Sequence, residues 1–157
     1  MTIAGLRVRP GTPAPDFTLP ATDGGTVTLS RHRGEAHVLL AFFPAAFSAV
    51  CLAELRAFTD DFDQFAAAGA RVYGVSVDAV PALAAVREAH GIRVDLLSDF
   101  THAVSRAYGT LDEEPLSPRR AYVLVDRAGA VRWTYVESDP DHRRHNAELL
   151  EQIRKLD

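Results

Sequence analysis

One cysteine stands in this 157-residue chain, Cys51, inside the run LLAFFPAAFSAVCLAEL at 39–55. A cysteine can close a disulfide, ligate a metal, attack as a thiolate or fill space in a core. A single one closes no internal disulfide. Metal ligation wants partners at matched spacing. There is no C-x-x-C, and of His32, His37, His90, His102, His142 and His145 only the last two lie close together. Neither a metal nor a cofactor is expected. Two readings remain open: an activated nucleophile, and a small buried hydrophobe, for free cysteine is among the most buried residue types.

The elements around Cys51 must decide where it sits. The segment AHVLLAFF at 36–43 is a continuous apolar run, the pattern of a strand covered on both sides, and Pro44 ends it. From Ser48 the period changes. Cys51, Leu55, Phe58, Phe62 and Phe65 recur at steps of three and four, which predicts a helix from 48 to about 68, stopped at Gly69. The cysteine therefore lies in the first turn of a helix that follows directly from a central strand. Unpaired N–H groups at that end favour negative charge, which suits a thiolate. Its place on the apolar stripe suits core packing equally well.

Further along, RVYGVSV at 71–77 reads as a second buried strand. PALAAVREAH at 81–90 reads as a helix, with Pro81 in its first turn and Gly91 just past its end. VDLLSD at 94–99 is a short strand and HAVSRAYG a short helix. AYVLVD and VRWTYVE form a hairpin about RAG, and a last helix runs from about 141 to 156. Upstream, DFTL and TVTL flank PATDGG as a small hairpin. This order predicts a thioredoxin-like three-layer α/β/α sandwich with a mixed central sheet and an N-terminal β-hairpin, spanning 1–157 as one domain.

Composition narrows the function classes. Seventeen Lys and Arg against 21 Asp and Glu give a net charge of −4, interspersed along the chain, so no nucleic-acid partner is expected. No stretch of 18 apolar residues occurs, so no membrane partner is expected either. The opening MTIAGLRVRPGTPAPDF has no apolar run of signal-peptide length. With nothing demanding an oxidising compartment, the expectation is cytoplasmic.

The stretch from Pro44 to Cys51, PAAFSAVC, resembles the peroxiredoxin signature Pro-x-x-x-Thr/Ser-x-x-Cys, with Glu54 three positions later. Far along the chain, Arg120 begins RAYVLVD, which is similar to that family's Arg-x-x-x-x-x-Asp strand. GTPAPDFTL, YGVSVD, the SD before the short helix and VDRAGAVRW extend the likeness over almost the whole chain. The FFPxAF run looks closest to the one-cysteine AhpE-like branch.

The resemblance implies roles residue by residue. Cys51 would be the peroxidatic nucleophile, attacking a peroxide and becoming sulfenic acid. Arg120 would hold sulfur and departing oxygen with guanidinium donors, Ser48 would offer a hydroxyl, and Pro44 would shield the thiolate. Backbone N–H groups near Val50 and Cys51 would complete the cradle, Glu54 would organise the arginines, and Phe43 and Phe47 would line an apolar mouth. Each has a plainer counterpart: Ser48 as a helix cap, Pro44 as a strand terminator, Glu54 as a favourable first-turn carboxylate, the phenylalanines as core. Arg119, on the opposite strand face, is expected in solvent.

One departure matters: many peroxiredoxins have a second, resolving cysteine, and this chain has none. The implied partners are a peroxide substrate, an external thiol or redoxin as reductant, and a second copy in a homodimer or larger homo-oligomer. Two alternatives share the fold: a thiol–disulfide oxidoreductase, which normally needs two cysteines, and a non-enzymatic binding protein with an inert buried thiol.

Overall fold

The computed structural model describes residues 5–157; the absence of a signal-type apolar run takes in residues 1–4, which lie outside the described residues. Strands β1 (Thr18–Pro20) and β2 (Thr26–Thr28) form the expected antiparallel hairpin. A short 3-10 turn leads into β3 (His37–Phe42), which is buried at every position. Then follow α1 (Ala49–Asp60), α2 (Phe62–Ala67), β4 (Ala70–Ser76), α3 (Val80–His90), β5 (Asp95–Ser98) and α4 (Ala103–Tyr108). A two-residue ladder joins β6 (Leu111–Asp112) to β7 (Ser117–Pro118). The chain ends with β8 (Ala121–Val125), β9 (Val131–Val136) and α5 (Asn146–Arg154).

The central sheet has the order β5-β4-β3-β8-β9. β3, β4 and β5 are parallel, while β8 runs antiparallel to β3 and to β9, so the sheet is mixed as expected. Side chains alternate between its two faces, and each face has its own core. Leu39, Ala41, Val72, Leu96, Tyr122 and Leu124 pack under α1, α2, α3 and α5. Val38, Leu40, Val75, Leu97 and Val123 pack against α4 and the N-terminal segment. Gly74 makes the first of these layers possible: a Cβ there would lie 2.9 Å from Leu96, 3.0 Å from Phe43 and 3.2 Å from Leu55.

Two helices differ from the sequence reading. The helix expected over 48–68 is broken at Asp61, whose φ of −105° and ψ of 17° lie outside the helical region. Thr59, which bonds back to the Leu55 carbonyl, and the Asp60–Asp61 pair are weak helix formers at the join. The Asn146 amide fills the break, donating to the Ala57 carbonyl and to Asp61 Oδ2, both at 2.8 Å. The last helix starts at Asn146 rather than near 141, because the chain turns at 138–141 and the residues after the turn are tied to partners elsewhere. The Arg144 N–H donates to the Tyr122 hydroxyl and the Arg144 side chain donates to Glu137.

Candidate active site

β3 ends at Phe42, and the loop 43–48 turns the chain into α1. Asp78, just beyond β4, fixes this loop: its Oδ2 accepts from the Ala46 N–H at 3.0 Å and from the Ser76 hydroxyl at 2.8 Å. Ser48 is the N-cap of α1, and its Oγ accepts from the Cys51 N–H at 3.3 Å. The cap counterpart of its expected role is thus present, and the Cys51 N–H is engaged by Ser48.

Cys51 is fully buried, and it lies in the apolar cluster beside Leu55 and Phe58. It also has a polar partner. Arg120 Nη2 donates to Cys51 Sγ at 3.0 Å. The sequence left core packing and nucleophile as rivals; here the sulfur has an apolar surround and a guanidinium against it. A guanidinium donor bonded to a buried sulfur is a polar contact that core filler does not require.

Strand alternation explains why Arg120 reaches this sulfur. It stands immediately before β8, two positions ahead of Tyr122, so both face α1. Glu54 lies one turn after Cys51 and points the same way. Arg120 Nη1 donates to Glu54 Oε1 at 2.7 Å, Nε donates to the Pro140 carbonyl at 3.2 Å, and the Tyr122 hydroxyl donates to Glu54 Oε2. Arg120 and Glu54 are each 1% exposed, so every donor and acceptor here needs a protein partner.

Burial pushes the Glu54 carboxyl up from its ordinary range, opposed by the Arg120 guanidinium and the Tyr122 hydroxyl. Burial pulls Arg120 the other way from its neighbours, but Glu54 and Cys51 outweigh it and the guanidinium is raised. Arginine stays charged in either case, so the state of the pair is decided at the carboxyl. Burial and Glu54 push the Tyr122 phenol up, so it serves as a donor.

A cavity of about 260 Å³ opens beside the arginine, walled by Pro44, Pro115, Pro118 and Pro140 together with the polar Asp112, Ser117, Arg119, Arg120, Glu137 and Ser138. Four of these residues are prolines, which stiffen the wall and contribute no N–H donor. On the other side of the helix start, Val50 and Ala53 line an open groove with His142, Arg143 and His145.

The remaining expectations divide. Phe43 is fully buried in the core against Gly74 and does not form a mouth; Phe47 is 62% exposed on the loop. Arg119 is half-buried rather than solvated, its Nη2 donating to the Gly109 carbonyl at 2.9 Å. Sequence reasoning missed Tyr122, Asp78 and the loop 138–145. Tyr122 carried a usable signal, since it is Arg120's same-face neighbour on one strand. Among the described residues no group of three or more His, Cys, Asp or Glu is placed to hold a metal ion. No helix of the described chain is long and apolar enough to cross a membrane.

Known proteins share this fold and much of this sequence. Residues 10–134 match the model of the AhpC/TSA family. Alkyl hydroperoxide reductase E of Mycobacterium tuberculosis is 36% identical over 135 residues, covering 85% of this chain and 88% of that protein. The crystal structure of reduced Plasmodium vivax 2-Cys peroxiredoxin superposes with a TM-score of 0.87 at 32% identity, covering 94% of this chain and 81% of that one. Peroxidoxin BcpB from Mycobacterium tuberculosis gives a TM-score of 0.86 at 27% identity, covering 96% and 99%. The chain belongs to the AhpC/TSA family: it is a thioredoxin-fold peroxiredoxin. Within that class it is a one-cysteine member, a thiol peroxidase whose single thiol is the buried Cys51.

Proposed function

We propose that Cys51 works by direct displacement at a peroxide, with Arg120 as its electrostatic partner. The Cys51 thiolate attacks the distal oxygen. A sulfur–oxygen bond forms as the oxygen–oxygen bond breaks, sulfur loses two electrons to become sulfenic acid, and the departing hydroxide or alkoxide takes a proton from solvent. The observation that carries this reading is the 3.0 Å contact from Arg120 Nη2 to Cys51 Sγ, made while Nη1 is held by Glu54. A guanidinium fixed this way stabilises charge on sulfur without reorganising during the reaction. Ser48 positions the first turn of α1 as its cap, Pro44 walls the cavity beside Arg120, and Val50 flanks the helix start.

The proline-walled cavity supports organic hydroperoxides as well as hydrogen peroxide and peroxynitrite as substrates. With no second cysteine, the sulfenic acid is returned to thiolate by an external thiol or redoxin, a cycle suited to a reducing cytoplasm. Phe47, Phe100 and Leu116, the large apolar residues exposed among those described, lie on loops at the same end of the sheet as Cys51. They support pairing of two copies through that end.

Intact-protein mass after one equivalent of hydrogen peroxide tests the reading. The expected product gains one oxygen atom, and added small thiol converts it to a mixed disulfide at Cys51. A mass unchanged by peroxide returns Cys51 to an inert core position. Continuous turnover with candidate redoxins then separates a protein reductant from a small thiol.

A further inference from the structure

Glu54 has two oxygens and two different donors: Arg120 Nη1 on Oε1 and the Tyr122 hydroxyl on Oε2. Nothing in the peroxide chemistry requires the tyrosine. Its effect lies in what it prevents. A carboxylate facing an arginine with both oxygens free takes two guanidinium N–H groups in a fork–fork pair. Here that would draw Nη2 away from the sulfur. We propose that Tyr122 is a positioning residue that occupies Glu54 Oε2, keeps the Glu54–Arg120 pair single-stranded, and so leaves Arg120 Nη2 for Cys51. This deepens the reading of Cys51 as the peroxide nucleophile and rests on it.

The tyrosine is itself fixed. Its oxygen accepts the Arg144 N–H at 3.0 Å, which directs its own hydrogen toward Glu54. Its ring is fully buried, 6.4 Å from the Trp133 ring. Through Arg144 the loop 138–145 is tied to the same carboxylate, and Pro140 on that loop accepts from Arg120 Nε. One hydroxyl thus joins a loop that walls both the cavity and the groove to the ion cluster at the sulfur.

The groups acting on Glu54 are Arg120 and Tyr122 from the β8 side and Arg143 from the loop, and Cys51 stands three positions before it on the same helix. Removing the hydroxyl frees Oε2 for Arg120 Nη2, so the fork that Glu54 then takes is made at the expense of the contact to the sulfur.

The test is the single-turnover rate of Cys51 oxidation by hydrogen peroxide, followed by quenched intact mass across pH. Parent, Tyr122→Phe, Glu54→Gln and the double variant are compared. Phenylalanine keeps the ring, and far-UV circular dichroism checks the fold. Tyr122→Phe should lower the rate roughly tenfold, as expected for a lost hydrogen bond to a charged group. In the Glu54→Gln background the same substitution should change the rate little, since the tyrosine acts through that carboxylate. A parent that does not react overturns both readings. A parent that reacts while Tyr122→Phe matches it at every pH, or a loss that persists undiminished in the Glu54→Gln background, overturns the role of Tyr122 alone.

Discussion

Two of the arginine–glutamate pairs among the described residues are built from the same side chains and arranged in opposite ways. On the surface, Arg106 gives Nε and Nη2 to the two oxygens of Glu113, at 3.1 and 3.4 Å, with the side chains 47% and 63% exposed. In the core, Arg120 gives Glu54 a single donor at 2.7 Å and directs its others to Cys51 and Pro140, with both side chains 1% exposed. The surface pair has the better pairing geometry and the easier environment. The buried pair accepts desolvation and a divided fork. The difference lies in how the fork is divided: the surface guanidinium gives both of its donors to the carboxylate, whereas the buried one gives one to the carboxylate and another to the sulfur.

The largest effect that can break this comparison is on rate. Arg120→Lys keeps the charge and loses the planar fork. Peroxide oxidation of Cys51 should slow roughly 100- to 1,000-fold, the scale seen when one preorganised electrostatic donor is removed. Arg106→Lys should leave the rate as it is. Stopped-flow oxidation of both variants decides, and a lysine at 120 reacting at the parental rate would remove the role assigned to the guanidinium. Next comes stability. Glu54→Ala strands a buried cation and should destabilise the fold by about 3–5 kcal/mol. Glu113→Ala should leave the denaturation midpoint where it was, because its pair is solvated and screened. Guanidinium unfolding of the two variants makes the measurement, and equal losses would mean burial does not separate the pairs.

The smallest effect sharpens the contrast through pH. Burial raises the Glu54 carboxyl, whereas the Arg106 hydrogen bonds hold Glu113 below its ordinary range. A raised carboxyl contributes stability below its unfolded value and loses it as pH climbs through the folded one. A lowered carboxyl contributes above its unfolded value and loses it as pH falls through the folded one. The stability difference between parent and Glu54→Gln should therefore shrink as pH rises from the ordinary glutamate range. For Glu113→Gln it should instead shrink, weakly, as pH falls below the ordinary glutamate range. Denaturation series in acetate and phosphate buffers would show slopes of one sign if the two environments were alike.

Much of the fold was legible because its signals were local and strong. The unbroken apolar run before Pro44 could only be a covered strand, and Pro81 with Gly91 bracketed α3 closely. Cys51, Arg120, Glu54 and Pro44 were legible through the resemblance to the family signature, and Arg120 does bridge Cys51 and Glu54. What was hidden depended on partners distant in sequence. Nothing near Asp61 announces that the Asn146 amide will reach into the helix break. Residues 141–145 read as helix until Tyr122 and Glu137 take the Arg144 donors. Phe43 and Phe47 look equivalent in sequence, and only the packing of Phe43 against Gly74 and Leu55 tells them apart.

Cys51 and Arg120 are separated by 69 residues, and Glu54 and Tyr122 by 68. Their meeting waits on the β3–β8 ladder, a long loop closure of the kind that slows folding more than it weakens the folded chain. Until that ladder zips, the arginine is elsewhere and the sulfur lacks its guanidinium partner. By the mechanism proposed above, a growing or collapsed chain therefore carries no armed sulfur. Peroxide reactivity becomes a label for completed molecules, and the reactive fraction of total thiol in a refolding sample counts how many chains have closed the sheet.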